Sequence, residues 1–125
     1  MKALLVLVAM KDENLEKTFR KIFADVRSSG AKKVLINVIS QQPFHKVVDY
    51  IREPMLDNID IGYELFLWKR EDMSKVVEEN SKKEIDGVLL YCDNENRSLI
   101  EKLFSQLPNN IRVNLLKDNC RNPSV

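Results

Sequence analysis

The chain has 125 residues, with 20 basic and 19 acidic side chains, so a single domain is expected, and a formal net charge of +1 argues against a nucleic-acid or anionic-membrane partner. Hydrophobic residues at 44% and charged residues at 31% are the mixture of a folded soluble globule rather than of a disordered segment. The three glycines, Gly30, Gly62 and Gly87, lie too far apart to build a glycine-rich phosphate loop.

Ala3–Met10 is continuously apolar, which predicts a strand buried on both faces. Its length falls short of the about 20 residues of a membrane helix, and no small-residue cleavage site follows it. Leu15, Phe19, Ile22, Phe23 and Val26 then recur at spacings of three and four, the apolar stripe of a helix. Asp12 or Asn14 caps its start, and Ser28-Ser29-Gly30 ends it. Val34–Ile39 reads as a second strand broken only by Asn37, and Phe44–Arg52 as a short helix that Pro54 ends or kinks.

Ile61–Trp68 is expected as the third strand, interrupted by Glu64. A helix capped by Asp72 follows, carrying Met73, Val76 and Val77 and ending among Lys82, Lys83 and Glu84. Val88–Cys92 is the fourth strand. Asn94 or Asn96 opens a helix lined by Leu99, Ile100, Leu103, Phe104 and Leu107, and Pro108 stops it. Ile111–Leu116, in which Ile111, Val113 and Leu115 alternate with Arg112, Asn114 and Leu116, reads as the fifth strand.

Alternation of strands and helices predicts an α/β fold, a three-layer αβα sandwich around a five-stranded parallel sheet. The first and fourth strands are the most apolar and belong at the centre; the third and fifth carry polar interruptions and belong at the edges. That ranking gives the order 3-2-1-4-5. Residues 1–118 make one domain, and 119–125 form a polar tail expected to fray.

In such sheets ligands sit where the chain reverses direction, beyond the carboxyl ends of the strands. Here that places Lys11, Asp12 and Glu13 opposite Asp93, Asn94, Glu95 and Asn96, an acidic crevice with a single ammonium. One reading makes the acids helix caps and first-turn groups, each contributing about 0.3–1 kcal/mol against the helix dipole. The other offers Asp12, Glu13 and Asp93 to a hard cation such as Mg²⁺. A phosphate entering would meet like charge.

No catalytic constellation is visible. His45 is the one histidine and has no partner at metal-ligand or dyad spacing. Cys92 and Cys120, without a CxxC pair or export signal, are expected as reduced thiols in the cytoplasm. Trp68-Lys69-Arg70 pairs an aromatic face with two cations, suited either to a base and phosphate or to edge packing. Lys32-Lys33 and Lys82-Lys83 are charge pairs at element ends.

Val8-Ala9, the polar loop Lys11–Asn14, Gly30-Ala31, Val38-Ile39 and the Asp86-led fourth strand together resemble the universal stress proteins. The resemblance implies a nucleotide crevice, which Lys11, Asp12, Asn14, Val38, Lys69, Asp93 and Ser98 would line. The family's Asp after the first strand falls on Lys11, with Asp12 one residue late. Its glycine-rich loop is replaced by Asp93-Asn94-Glu95-Asn96-Arg97-Ser98. Binding of ATP is therefore expected to be weak or absent. The likeness further implies a cytoplasmic homodimer paired through the Ile111–Leu116 edge, acting by regulatory protein contacts without catalysis. Two alternatives stand beside it. A receiver-like domain would use Asp12-Glu13 and Lys117, but has Trp68-Lys69 in place of its phosphoacceptor. A small metal-dependent enzyme would use the acidic crevice.

Overall fold

A computed structural model describes residues 3–120, apart from the side chain of Asp12. The sheet has five parallel strands: β1 (Leu4–Ala9), β2 (Lys33–Ile39), β3 (Gly62–Trp68), β4 (Gly87–Cys92) and β5 (Leu115–Asp118), in the order β3-β2-β1-β4-β5. The expected strand order is the observed one. β1 and β4 are wholly buried along their lengths, and the half-exposed β3 and largely exposed β5 form the edges.

Helices cover both faces. On one, α1 (Asp12–Ser29) and α2 (Phe44–Asp57) lay Leu15, Phe19, Ile22, Val47 and Ile51 over Val6, Val8, Ile36 and Val38. On the other, α3 (Met73–Ser81) and α4 (Arg97–Ser105) bring Val76, Ile100 and Leu103 onto Leu5, Leu7, Leu35 and Leu90. Successive strand residues point to opposite faces, which is why the continuous apolar runs of β1 and β4 feed both cores. Among the described residues no helix is long and apolar enough to cross a membrane.

Pro54 neither ends nor interrupts α2, which continues to Asp57. The proline is buried, and its carbonyl accepts from Asn58 Nδ2 at 2.7 Å. Asn58 Oδ1 in turn accepts from Arg27 Nε at 2.7 Å, tying the end of α2 to α1. Packing and these side-chain bonds outweigh one missing backbone donor.

The fifth strand is also displaced from the expected Ile111–Leu116. Pro108 starts a short helix, α5 (Asn109–Arg112), in which the N–H groups of Ile111 and Arg112 both donate to the Pro108 carbonyl at 3.0 Å. Ile111 is fully buried and continues the helical spacing from Leu107, so the alternation in the sequence had two readings and the helical one wins.

That displacement sets the fate of the cysteines. Leu90 pairs with Asp118 across β4 and β5, so two residues further on Cys92 meets Cys120. The two are joined as a disulfide with Cα atoms 5.0 Å apart, and the expectation of reduced thiols is corrected. The tail expected to fray at 119–125 is held at its start. Asn119 N–H donates to the Leu90 carbonyl at 2.9 Å, and Cys120 is buried. Residues 121–125 lie outside the described residues.

Candidate functional site

A cleft of about 530 Å³ opens at the carboxyl ends of β1 and β4, at the reversal of the sheet. Its walls are Met10 and the α1 residues Asn14, Lys17, Thr18 and Lys21 on one side, and Tyr91, Cys92, Asp93, Asn94 and Asn119 on the other.

Two of the expected acids, Asp93 and Glu95, are turned to internal work. Asp93 Oδ2 accepts from the Lys11 backbone N–H at 2.7 Å, and Oδ1 accepts from the N–H and Nδ2 of Asn96 at 3.1 and 2.7 Å. Asp93 thereby caps the 3-10 turn Asn94–Asn96 that leads into α4. Glu95 pairs with Lys11 Nζ at 2.9 Å, and its hydrogen bond and charge push the ammonium's pKa up. Both partners are exposed, so this bridge is a weak latch. Among the described residues Lys17, Lys21 and Asp93 are the charged groups on the cleft walls, and the expected Glu13 and Glu95 do not line it. Neither lysine has an ion-pair partner among the described residues. No group of three or more His, Cys, Asp and Glu side chains among the described residues could hold a metal ion.

The floor is rigid. Tyr91 is buried, and its hydroxyl donates to Asp25 Oδ2 at 2.6 Å. Burial first, then the Asp25 carboxylate, push the phenol's pKa up. Lys117, the lysine that the receiver-like alternative would use, pairs with Asp25 Oδ1 at 3.0 Å. Thr18 Oγ1 donates to the Asn14 carbonyl at 2.8 Å. Asn119 Nδ2 is buried and has no acceptor among the described residues. An amide donor in that position has lost water without gaining a partner.

Of the residues named for a nucleotide crevice, Asn14 and Asp93 line the cleft, and Lys11 joins them through its backbone and the Glu95 pair. Asp12 begins α1. Val38 does not reach the cleft: it is buried between the sheet and the α1–α2 layer. Lys69 is exposed beyond β3, where its N–H donates to Asp72 Oδ2 at 3.2 Å, and Ser98 is exposed on the first turn of α4. His45 is exposed at the start of α2. The Trp68 indole is engaged, donating to Asn37 Oδ1 at 2.8 Å and stacking on Phe66, while Arg70 donates to Asn96 Oδ1.

Lys17, Thr18, Lys21, Tyr91 and Asn119 are the wall residues that the sequence reading missed. Part of the signal was there: Asn14, Lys17, Thr18 and Lys21 fall at i, i+3, i+4 and i+7, a polar stripe descending from the switch-point loop. Asn119 had none, because its place depends on the register of β5.

The sequence profile of a family of unknown function, DUF5751, matches residues 6–121. The fold is similar to the crystal structure of a hypothetical protein from Sulfolobus tokodaii, with 48% identity, a TM-score of 0.93, and coverage of 99% of this chain and 100% of that one. No curated protein matches the chain. These findings overturn the resemblance to universal stress proteins. That likeness lay in strand and loop patterning, which a parallel sheet of this order imposes on its sequence whatever the family.

Proposed function

The chain belongs to the family DUF5751, whose function is unknown, and on that premise we propose that it is a non-catalytic regulatory domain binding a small anionic molecule in the switch-point cleft. One observation carries this reading. Asp93 and Glu95 are spent on Lys11 and Asn96, which leaves Lys17 and Lys21 as the charged donors on the cleft wall, with Asn119 beside them. The cleft's volume falls within the roughly 300–1,000 Å³ of small-molecule sites. Met10 gives it an apolar wall for the body of the ligand.

The non-catalytic part of the proposal is supported by the same wall. Cys92 is in a disulfide, the Thr18 hydroxyl donates to a backbone carbonyl, and no histidine lines the cleft. ATP binding is weak or absent in this proposal, because no glycine-rich loop wraps a triphosphate; one or two charged oxygens suit two lysines better. The bound state is read out by protein contacts in the cytoplasm. A second copy of the chain is one such partner. The exposed Val113, Leu115 and Leu116 beside the short β5 edge favour it, and this moves the contact from the expected Ile111–Leu116 to the strand that actually forms the edge.

The test is a thermal-shift screen of sugar phosphates, nucleotides, dicarboxylates and inorganic phosphate. At least one small anion is expected to raise Tm in a saturable way, with ATP among the weakest. ATP binding at micromolar Kd or tighter would overturn the lost-grip element of the proposal. Light scattering at increasing concentration tests the pairing; a monomer throughout removes the β5 contact.

A further inference from the structure

We propose that the Cys92–Cys120 disulfide is a redox-operated clasp that holds Asn119 in the wall of the cleft, so that a dithiol reductant opens the cleft on that side.

Three features place the clasp there. Cys92 is the last residue of β4 and, with Asn119, lines the cleft. β5 has four residues, and its register against β4 is irregular between Val88 and Leu89, so its own pairing is a modest anchor. Beyond Asp118, the described chain is held by two backbone donors, Asn119 N–H to the Leu90 carbonyl and Cys120 N–H to Asp118 Oδ1, each at 2.9 Å, and by the disulfide. A segment whose described backbone is held by so few bonds belongs to the part of a structure that opens locally at low cost. The covalent link closes 28 residues of separation and removes that freedom.

The chemistry balances with a dithiol as co-reactant. Its thiolate attacks one sulfur of the pair, releasing the other as a thiolate that takes up a proton. The second thiol of the reductant then resolves the mixed disulfide. Two electrons and two protons pass to the protein, Cys92 and Cys120 end as thiols, and the reductant ends as a disulfide. Both cysteines are buried, so the cleft side of Cys92 is the approach that the fold provides. A bound ligand would stand in that approach.

The clasp stands independently of the proposed function, whereas its effect on binding rests on it. Protein purified without reductant, denatured and alkylated, is expected to show no modified cysteine; after dithiothreitol, two. Two modified cysteines without reductant overturn the clasp. Hydrogen exchange in the native state is expected to speed up about tenfold at the amides of Asn119 and Cys120 on reduction, with β1 unchanged. Equal protection in both states overturns it. Cys120→Ser should exchange like the reduced protein and ignore dithiothreitol, and if this variant does not fold, the wild-type comparison decides alone. Inorganic phosphate, titrated into both states, should bind more weakly to the reduced one. Equal affinity overturns the cleft-opening half of the proposal, and no phosphate binding in either state counts against the anion reading while the exchange result still judges the clasp.

Discussion

Lys11 and Asp93 stand 82 residues apart in the chain, yet the backbone N–H of Lys11 donates to Asp93 Oδ2 at 2.7 Å. This bond joins the loops after the neighbouring strands β1 and β4 across the mouth of the cleft. The same carboxylate caps the turn into α4, so one side chain fixes both walls.

Replacing Asp93 with Ala therefore removes three hydrogen bonds to a carboxylate and leaves the Lys11 and Asn96 donors to find water. We expect a loss of about 2–3 kcal/mol in urea unfolding, the combined scale of a lost cap and a lost charge-assisted bond. Asp93→Asn should recover part of it, because its carbonyl oxygen still accepts. Equal stability of the Ala variant would contradict the joining role of the Asp93 carboxylate.

A second polar cluster sits in the sheet itself. Asn37 is fully buried in β2, where its Oδ1 accepts from Trp68 Nε1 at 2.8 Å and from Asn80 Nδ2 at 3.2 Å. Asn37→Leu strands the Trp68 indole N–H and leaves Asn80 Nδ2 only the Val76 carbonyl at 2.9 Å, so a cost of about 1–3 kcal/mol is expected. Trp68 is the single tryptophan, so its emission reports the site directly. A variant with unchanged stability and spectrum would contradict the assigned network.

The legibility of the sequence follows from these cases. Apolar runs without polar breaks marked β1 and β4 as central, and the sheet order followed, because burial on both faces leaves no alternation. In the sequence Asn37 is only a break in an apolar run, because its partners on β3 and α3 are distant along the chain. The β5 error arose because Ile111 satisfies a strand alternation and a helical spacing at once. Shifting that strand moved Cys120 into register with Cys92 and Asn119 into the cleft. At the switch point, residue types gave an acidic total, but which atoms face the cleft is a matter of direction. Asp93 and Glu95 satisfy neighbours, and the lysines one and two turns along α1 hold the exposed wall.

Stability should fall at alkaline pH for a stated reason. Burial raises the pKa of Tyr63 to about 12, and burial with the Asp25 bond raises that of Tyr91. An unfolded tyrosine ionises near about pH 10. Above that value the unfolded chain has released protons that the folded chain retains, so stability drops as pH rises toward the folded pKa values and is fully present below about pH 10. Urea midpoints at pH 8 and pH 11 measure the drop. Tyr91→Phe should make it smaller; a drop of unchanged size would assign the alkaline loss to other groups.

The anion site is tested most directly by mapping amide chemical shifts while the best anion from the thermal screen is titrated into wild-type protein and a Lys17→Ala/Lys21→Ala variant. Both lysines are exposed, so the variant should keep its fold. Saturable shifts are predicted at Asn14–Lys21, Asn94 and Asn119 in the wild type, with affinity at least about tenfold weaker in the variant, the scale of two lost charge-assisted contacts. Shifts confined to other surfaces, equal affinity in the two proteins, or no saturable response to any small anion would contradict it.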